Sequence, residues 1–477
     1  MKTKNKVLSR RNFIAATGTA LAGTLVTNPA AAVILPRKTP AKKKLALVGT
    51  GIRGTTFWGK RILDNYADLV DFVGLCDINP GRLEFAKSFI GASCPTFTNF
   101  EEMMNSTKPD MLIVTTVDAT HDEFIVKGLE MGADVLTEKP MTTDDLKCRK
   151  ILDTERSTGR KVIVGFNYRY GPHSTKIKEL LTTGDIGKIT SVDFHWYLNI
   201  YHGASYFRRW HGIRSRSGTL LVHKATHHFD LLNWWLDSDP VEVFAYGDLE
   251  HYGANNSFRG DKCRSCPYKE KCKFFWDITT DKMLMNLYVN HEHHDGYIRD
   301  NCLWRNEIDI YDKMAVQIKY ANNVQVSYSL TTYSPYEGWR ITFNGFNGRL
   351  ESWLDIPWRK DEIISQAELH AKEMEQEKQE VITDYEEIIQ MKNFENYQMI
   401  KLPRGRGGHG GGDQRLQDQI FRNPDMPDPY RHAAGSRDGA MSILIGIAAR
   451  KSIESGEPVR IADLTDIKPE AVRPAKS

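Results

Sequence analysis

The chain has 477 residues and a formal charge of +3, with 40% hydrophobic and 26% charged residues, the balance of an ordinary globular protein. That length exceeds one typical core, so two folded domains are expected. Lys2, Lys4, Lys6, Arg10 and Arg11 all lie in the first 32 residues, which hold no acidic residue, so the remainder carries −2. The overall charge therefore says nothing about nucleic acid, and with no basic stripe of interleaved aromatics no nucleic-acid partner is expected.

The chain opens on Ser9-Arg10-Arg11-Asn12-Phe13-Ile14, a twin-arginine pattern. An uncharged stretch runs from Phe13 to Val26, and Asn28-Pro29-Ala30-Ala31-Ala32 supplies small residues for cleavage. Residues 1–32 are therefore read as a twin-arginine signal peptide, which predicts a periplasmic or otherwise exported protein. That route carries folded cargo, so a cofactor could be loaded before export. The apolar stretch is too short, and too rich in Gly and Thr, for a stable membrane span, and no later segment is long enough. Residues 33–43, rich in Pro and Lys, read as a linker.

Residues 44–165 alternate strand and helix patterns. Apolar runs occur at 45–48, 70–76, 111–116, 134–137 and 161–165, with helical stretches at 54–65, 80–90, 121–131 and 142–158. This pattern predicts an α/β fold, a doubly wound parallel sheet of the Rossmann type. Gly49-Thr50-Gly51-Ile52-Arg53-Gly54 follows the first run. Gly49 would make the tight turn, Gly51 would admit the pyrophosphate, and Gly54 would let the next helix pack closely. Asp77 ends the second run, where a carboxylate would accept the adenosine ribose hydroxyls. That favours NAD over NADP.

Thr115-Thr116 and His121 follow the third run, and Thr137-Glu138-Lys139-Pro140 closes the next. With the glycine turn, these residues resemble the Gfo/Idh/MocA family of sugar and cyclitol oxidoreductases. The resemblance covers nearly the whole chain after the signal peptide, more loosely in its second half. It implies that Gly49, Gly51, Ile52, Arg53, Gly54, Asp77, Thr115, Thr116, His121, Glu138, Lys139 and Asn167 bind the cofactor. It also implies that Lys139 sits between nicotinamide and the reacting hydroxyl. An ammonium there stabilises the alkoxide that develops as hydride leaves.

Residues 166–470 form the second expected domain, α+β with a large open, mainly antiparallel sheet. Strand patterns fall at 188–198, 241–247, 305–311, 314–320 and 324–331, with Asn322-Asn323 as a hairpin turn. The resemblance places Asp-x-x-x-His-x-x-Asp on one helix of this domain. Here His227 and Asp230 match, but His223 stands where the first Asp is expected, which removes a carboxylate partner. Positions four apart share a helical face. His227 is then the general base, with His223 as its partner or as a second base. Arg169, Trp210, His227, Asp230 and His409 are the expected substrate contacts. Residues 362–390 read as a solvated helix, and the glycine-rich run 404–412 as a loop.

Cys263-x-x-Cys266-x5-Cys272 and Cys302 leave two readings open: a structural zinc or iron–sulfur site, or two disulfides stapling an insertion. Cys76, Cys94 and Cys148 lack motif spacing and are expected to be packed. His291-Glu292-His293-His294 reads as a solvated loop.

The leading functional reading is an exported NAD-dependent oxidoreductase acting on a hydroxyl of a sugar, cyclitol or glycoside, with tightly bound NAD(H). A second is an NAD-dependent glycoside hydrolase working by transient oxidation, elimination and re-reduction. A third is a non-catalytic carbohydrate- or dinucleotide-binding protein, supported only by His223. The family implies a homo-oligomer, dimer or tetramer.

Overall fold

The computed structural model describes residues 41–355, 385–405 and 408–474. The expected signal peptide and most of the expected linker lie outside them. Strands β1 (Lys43–Val48), β2 (Val70–Cys76), β3 (Thr96–Phe97), β4 (Met111–Val114), β5 (Asp134–Thr137) and β6 (Val162–Val164) form one sheet, ordered β3-β2-β1-β4-β5-β6. Every pair is parallel. Leu45 to Val48 and Met111 to Val114 are buried throughout. Helices cover both faces, which is why these strands read as continuous apolar runs. The strand order reverses between β1 and β4, and a crevice beyond the carboxyl ends at that point is where such folds bind ligands. The sequence pattern overlooks β3 and the helix Phe100–Thr107, because a two-residue strand carries no periodicity.

The second sheet has nine strands: β7 (Ile189–Asn199), β8 (Pro240–Asp248), β9 (Lys313–Tyr320), β10 (Gln325–Ser334), β11 (Gly338–Gly345), β12 (Gly348–Leu354), β13 (Tyr385–Lys392), β14 (Gln398–Pro403) and β15 (Val459–Arg460). Their order is β14-β13-β12-β11-β7-β10-β9-β8-β15, and only β7–β10 pair in parallel. Val192, Phe194, Trp196 and Leu198 of β7 point inward and are buried. Against this inner face pack two helices, Thr226–Leu236 and the twenty-residue Ser436–Ser455. Trp196 stacks on His228 of the first, with centroids 3.8 Å apart.

Two expectations fail here. Residues 305–311 are not a strand; their buried Ile308, Ile310 and Tyr311 anchor an irregular segment instead. Residues 385–390 belong to β13 rather than to a helix, because Ile388 and Gln390 alternate inward between β12 and β14. The rest of that expected helix, 362–384, falls outside the described residues. Among the described residues no helix is long and apolar enough to cross a membrane.

Candidate active site

The glycine turn is built as its spacing implies. Gly49 adopts φ +90°, and a Cβ on it would lie 2.7 Å from the backbone of Thr115. The Gly49 carbonyl accepts the Thr115 hydroxyl at 2.5 Å. A Cβ on Gly54 would fall 2.1 Å from that same carbonyl oxygen, so only glycine lets the following helix start this close. Gly49, Gly51, Ile52 and Arg53 of the turn line one cavity of about 1500 Å³ with Asp77, Thr115, Thr116, His121, Glu138, Lys139 and Asn167, and it runs from the first sheet to the second; Gly54 is not in its wall but packs behind it on Gly49 and Thr115. A pair of bare glycine backbones opening onto a helix start fits a dinucleotide diphosphate.

Asp77 is more committed than its motif suggests. Its Oδ2 accepts from the Thr50 amide at 2.7 Å and the Thr50 hydroxyl at 3.1 Å. Its Oδ1 accepts from the Asn79 amide at 2.9 Å and from Arg82 at 3.1 Å. The carboxylate therefore clasps the turn, and a ribose hydroxyl would have to share or displace one of these donors. Glu138 likewise serves the protein. It accepts from Arg53 Nε and Trp58 Nε1, both at 2.6 Å. Burial alone would raise its pKa, but Arg53 and Lys139 outweigh that and hold it below the ordinary value.

Lys139 follows β5 and reaches across the cavity, where its ammonium donates to the His223 carbonyl at 3.1 Å. Burial pulls its pKa down to about 8, against the opposing pull of Asp118 and Glu138. His121 braces the Lys139 segment: its ring nitrogens meet the Pro140 carbonyl at 2.8 Å and the Thr116 carbonyl at 3.2 Å.

His223, which stands where a carboxylate partner of His227 was expected, is itself paired with a carboxylate from the first domain. His223 Nδ1 lies 2.6 Å from Asp118 Oδ2, and both side chains are buried. Burial, reinforced by Lys139, Arg209 and Lys224, pushes His223 well below its ordinary pKa. Burial raises Asp118. Asp118 escaped the sequence reading because its partner lies 105 residues away. Its one local signal was position: it lies just beyond the carboxyl end of β4.

The helix expected to carry both histidines is interrupted. Leu220–His223 and Thr226–Leu236 are separate helices, broken at Lys224-Ala225. The i,i+4 argument therefore does not hold, although His223 and His227 both line the cavity. His227 packs edge-on against Tyr168, centroids 4.5 Å apart. Just upstream, Thr219 sits at φ +83°, a strained conformation for a β-branched residue.

The other expected substrate contacts divide. Trp210 lines the cavity and stacks on His211 at 3.6 Å. Arg169 and Asp230 do not reach it. They form a bidentate pair, at 2.7 and 2.5 Å, buried with Asp438 and Arg473. Two opposite charges in a helix core satisfy each other and leave nothing for a ligand. His409 belongs to the turn Gly408–Gly411, whose Gly408 and Gly410 border the cavity; its side chain is outside the described set. The cavity also takes in Lys224, Tyr206, Arg209, His202 and Glu337, the last two paired at 3.1 Å.

The cysteine readings are corrected. Among the described residues no group of three or more His, Cys, Asp and Glu side chains is placed to hold a metal, and all seven cysteines are free thiols. Cys263, Cys266, Cys272 and Cys302 do line one small hollow, but Arg208 donates to the Cys263 sulfur at 2.7 Å, and Gly260 backs onto Cys266. His291 to His294 gather no ligand set either; Glu292–Asp295 is a short helix.

Residues 43–166 match the oxidoreductase family, NAD-binding Rossmann fold, and residues 178–461 match the same family's C-terminal alpha/beta domain. The chain belongs to the Gfo/Idh/MocA oxidoreductase family. It is 37% identical over 439 residues to YteT of Bacillus subtilis (strain 168), named for an oxidoreductase, covering 88% of this chain and 98% of that one. It is 26% identical over 211 residues to the inositol 2-dehydrogenase/D-chiro-inositol 3-dehydrogenase of Lactiplantibacillus plantarum, covering 44% and 57%. An oxidoreductase from Agrobacterium radiobacter, solved with NAD+, L-tartaric acid and magnesium, shares the fold at TM-score 0.58 and 13% identity, over 89% of this chain and 100% of that one. The protein is thus an NAD-binding oxidoreductase of this family.

Proposed function

We propose that the protein is an exported oxidoreductase acting on a hydroxyl of a sugar, cyclitol or glycoside, with NAD(H) held tightly. The observation that carries this reading is Lys139, a half-buried ammonium at a strand end, facing two histidines across one cavity. Lys139 holds the reacting hydroxyl and stabilises the developing alkoxide. His227 takes the hydroxyl proton, and the Asp118–His223 pair fixes the loop whose carbonyl positions Lys139. NAD, when bound, supplies the hydride acceptor. Gly49, Gly51 and the amides of Ile52 and Arg53 hold its diphosphate. The Asp77 carboxylate disfavours a 2′-phosphate and so favours NAD over NADP. Support for the substrate class comes from the inositol dehydrogenase relative and from Trp210 and Trp196 in the cavity wall, since aromatic faces suit sugar rings. The twin-arginine pattern supports export, and the family supports a dimer or tetramer.

The experiment is to incubate purified protein with a panel of sugars, cyclitols and aryl glycosides. An accumulating keto product supports the dehydrogenase. Released aglycone without net NADH moves the assignment to the redox-neutral glycosidase route. No turnover of any kind, with sugar binding retained, would sink both in favour of a binding protein.

A further inference from the structure

Residues 249–312, between β8 and β9, leave the second sheet, and their stretch from Lys282 to Asp295 packs on the first domain beside the glycine turn. The contacts they make there are specific. The Ile52 amide of the glycine turn donates to the Tyr288 hydroxyl at 2.7 Å. Asp295 binds Arg82 at 2.6 Å, and Arg82 in turn binds Asp77. Asn79 donates to the His291 carbonyl at 2.9 Å. The His291 ring is seated on Gly81, where a Cβ would fall 2.1 Å from Nδ1. Tyr288 is flanked by two guanidinium groups, Arg299 at 4.6 Å and Arg82 at 5.3 Å from its ring centroid.

Charge supplies the second observation. Arg82 is neutralised by Asp77 and Asp295, but among the described residues Arg299 and Arg209 have no carboxylate within 4 Å. Arg299 is 6% exposed, and Arg209 makes one hydrogen bond, from Nε to the Ser205 carbonyl at 2.8 Å. Burial, followed by the neighbouring charge of Arg299, draws the Arg209 pKa down to about 10. Arg299 Nε is buried without a hydrogen-bond partner, and although Asp281 attracts the Arg299 charge, among the described residues no carboxylate pairs with it directly, so an anion brought by a ligand is stabilised beside these two cations. Both arginines and Tyr288 line the same cavity as the glycine turn.

We infer that this segment is the outer half of the dinucleotide site: the Tyr288 hydroxyl holds the Ile52 amide until the diphosphate takes its place there, and Tyr288 and Arg299 then bind the diphosphate from the side opposite the glycine turn. This rests on the reading of NAD as the cofactor. Asp295 and His291 fasten the segment to the first domain, so the nucleotide leaves only when those contacts open. The dinucleotide then behaves as a resident group, which suits an enzyme working where no nucleotide pool replenishes it.

The test uses the whole mature chain and no sugar. Bound NADH is chased with excess NAD+ while its fluorescence is followed, and ADP and adenosine affinities are measured by calorimetry after nucleotide removal. Arg299→Gln is expected to speed NADH release at least tenfold and to weaken ADP at least tenfold while leaving adenosine unchanged. Arg299→Lys, which keeps the charge, should recover most of the ADP affinity. Asp295→Asn, which touches no nucleotide, should speed both NADH association and release. Circular dichroism identifies any variant that fails to fold. Unchanged NADH release and ADP affinity in Arg299→Gln, or equal losses for ADP and adenosine, would overturn the inference. A wild-type chain that binds no dinucleotide would instead overturn the functional reading beneath it.

Discussion

At the scale of single residues, the chemistry turns on Lys139. If its ammonium stabilises the alkoxide, activity must fall as pH rises through about 8, where burial has placed its pKa. A lysine acting as base would give the opposite slope, rising through the same point, so a kcat–pH profile decides the role. Lys139→Ala should lower kcat by about 10³-fold, as expected when a group acting on transition-state charge is removed, while NADH fluorescence titration shows cofactor binding kept. Asp118→Asn keeps the shape but changes what His223 can donate or accept. A loss of about 10²- to 10⁴-fold in kcat is expected, by analogy with other histidine-orienting carboxylates; an unchanged kcat would make the pair structural. Lys139 was legible in the sequence because Glu-Lys-Pro is a contiguous signature at a strand end. Asp118 was not, because its role depends on a histidine 105 residues away.

At the scale of elements, the glycine turn was readable and the histidine helix was not. The turn is a local device in which φ, close approach and helix start are all set within six residues. Gly49→Ala would demand a side chain at φ +90° against the Thr115 backbone. It should cost more than ~1 kcal/mol in stability and abolish NADH binding, measured by thermal melting and fluorescence. The histidine segment shows the opposite case. Its spacing suggested one helix and one functional face, but a break at Lys224-Ala225 separates His223 from His227. Asp230, expected at the substrate, is locked to Arg169 instead. Asp230→Ala should therefore destabilise the fold by about 3–5 kcal/mol, since it strips a buried charge of its bidentate partner. Urea unfolding should show that loss, while KM for any substrate stays unchanged once the variant is folded.

At the scale of the whole molecule, the outward face of the nine-stranded sheet is polar, with Ser191, Asp193 and His195 of β7 beside Ser327 and Ser329 of β10. A dimer or tetramer built through this face would be wet and hydrogen-bonded, and light scattering across about 0.05–1 M salt should show whether it weakens as ions screen the contact, the Debye length falling roughly four- to fivefold to about 3 Å. By itself the sequence determined the doubly wound first domain, the tight glycine turn and the place of Lys139 at a strand end, because each is written in contiguous residues with a fixed period or spacing. Only the tertiary structure decided which carboxylate serves His223, that Arg169 and Asp230 are core, and that Tyr288 reaches the glycine turn. Those facts join positions from about 60 to more than 200 residues apart. Such pairings depend on how two sheets and an excursion pack in space, and no local periodicity encodes that.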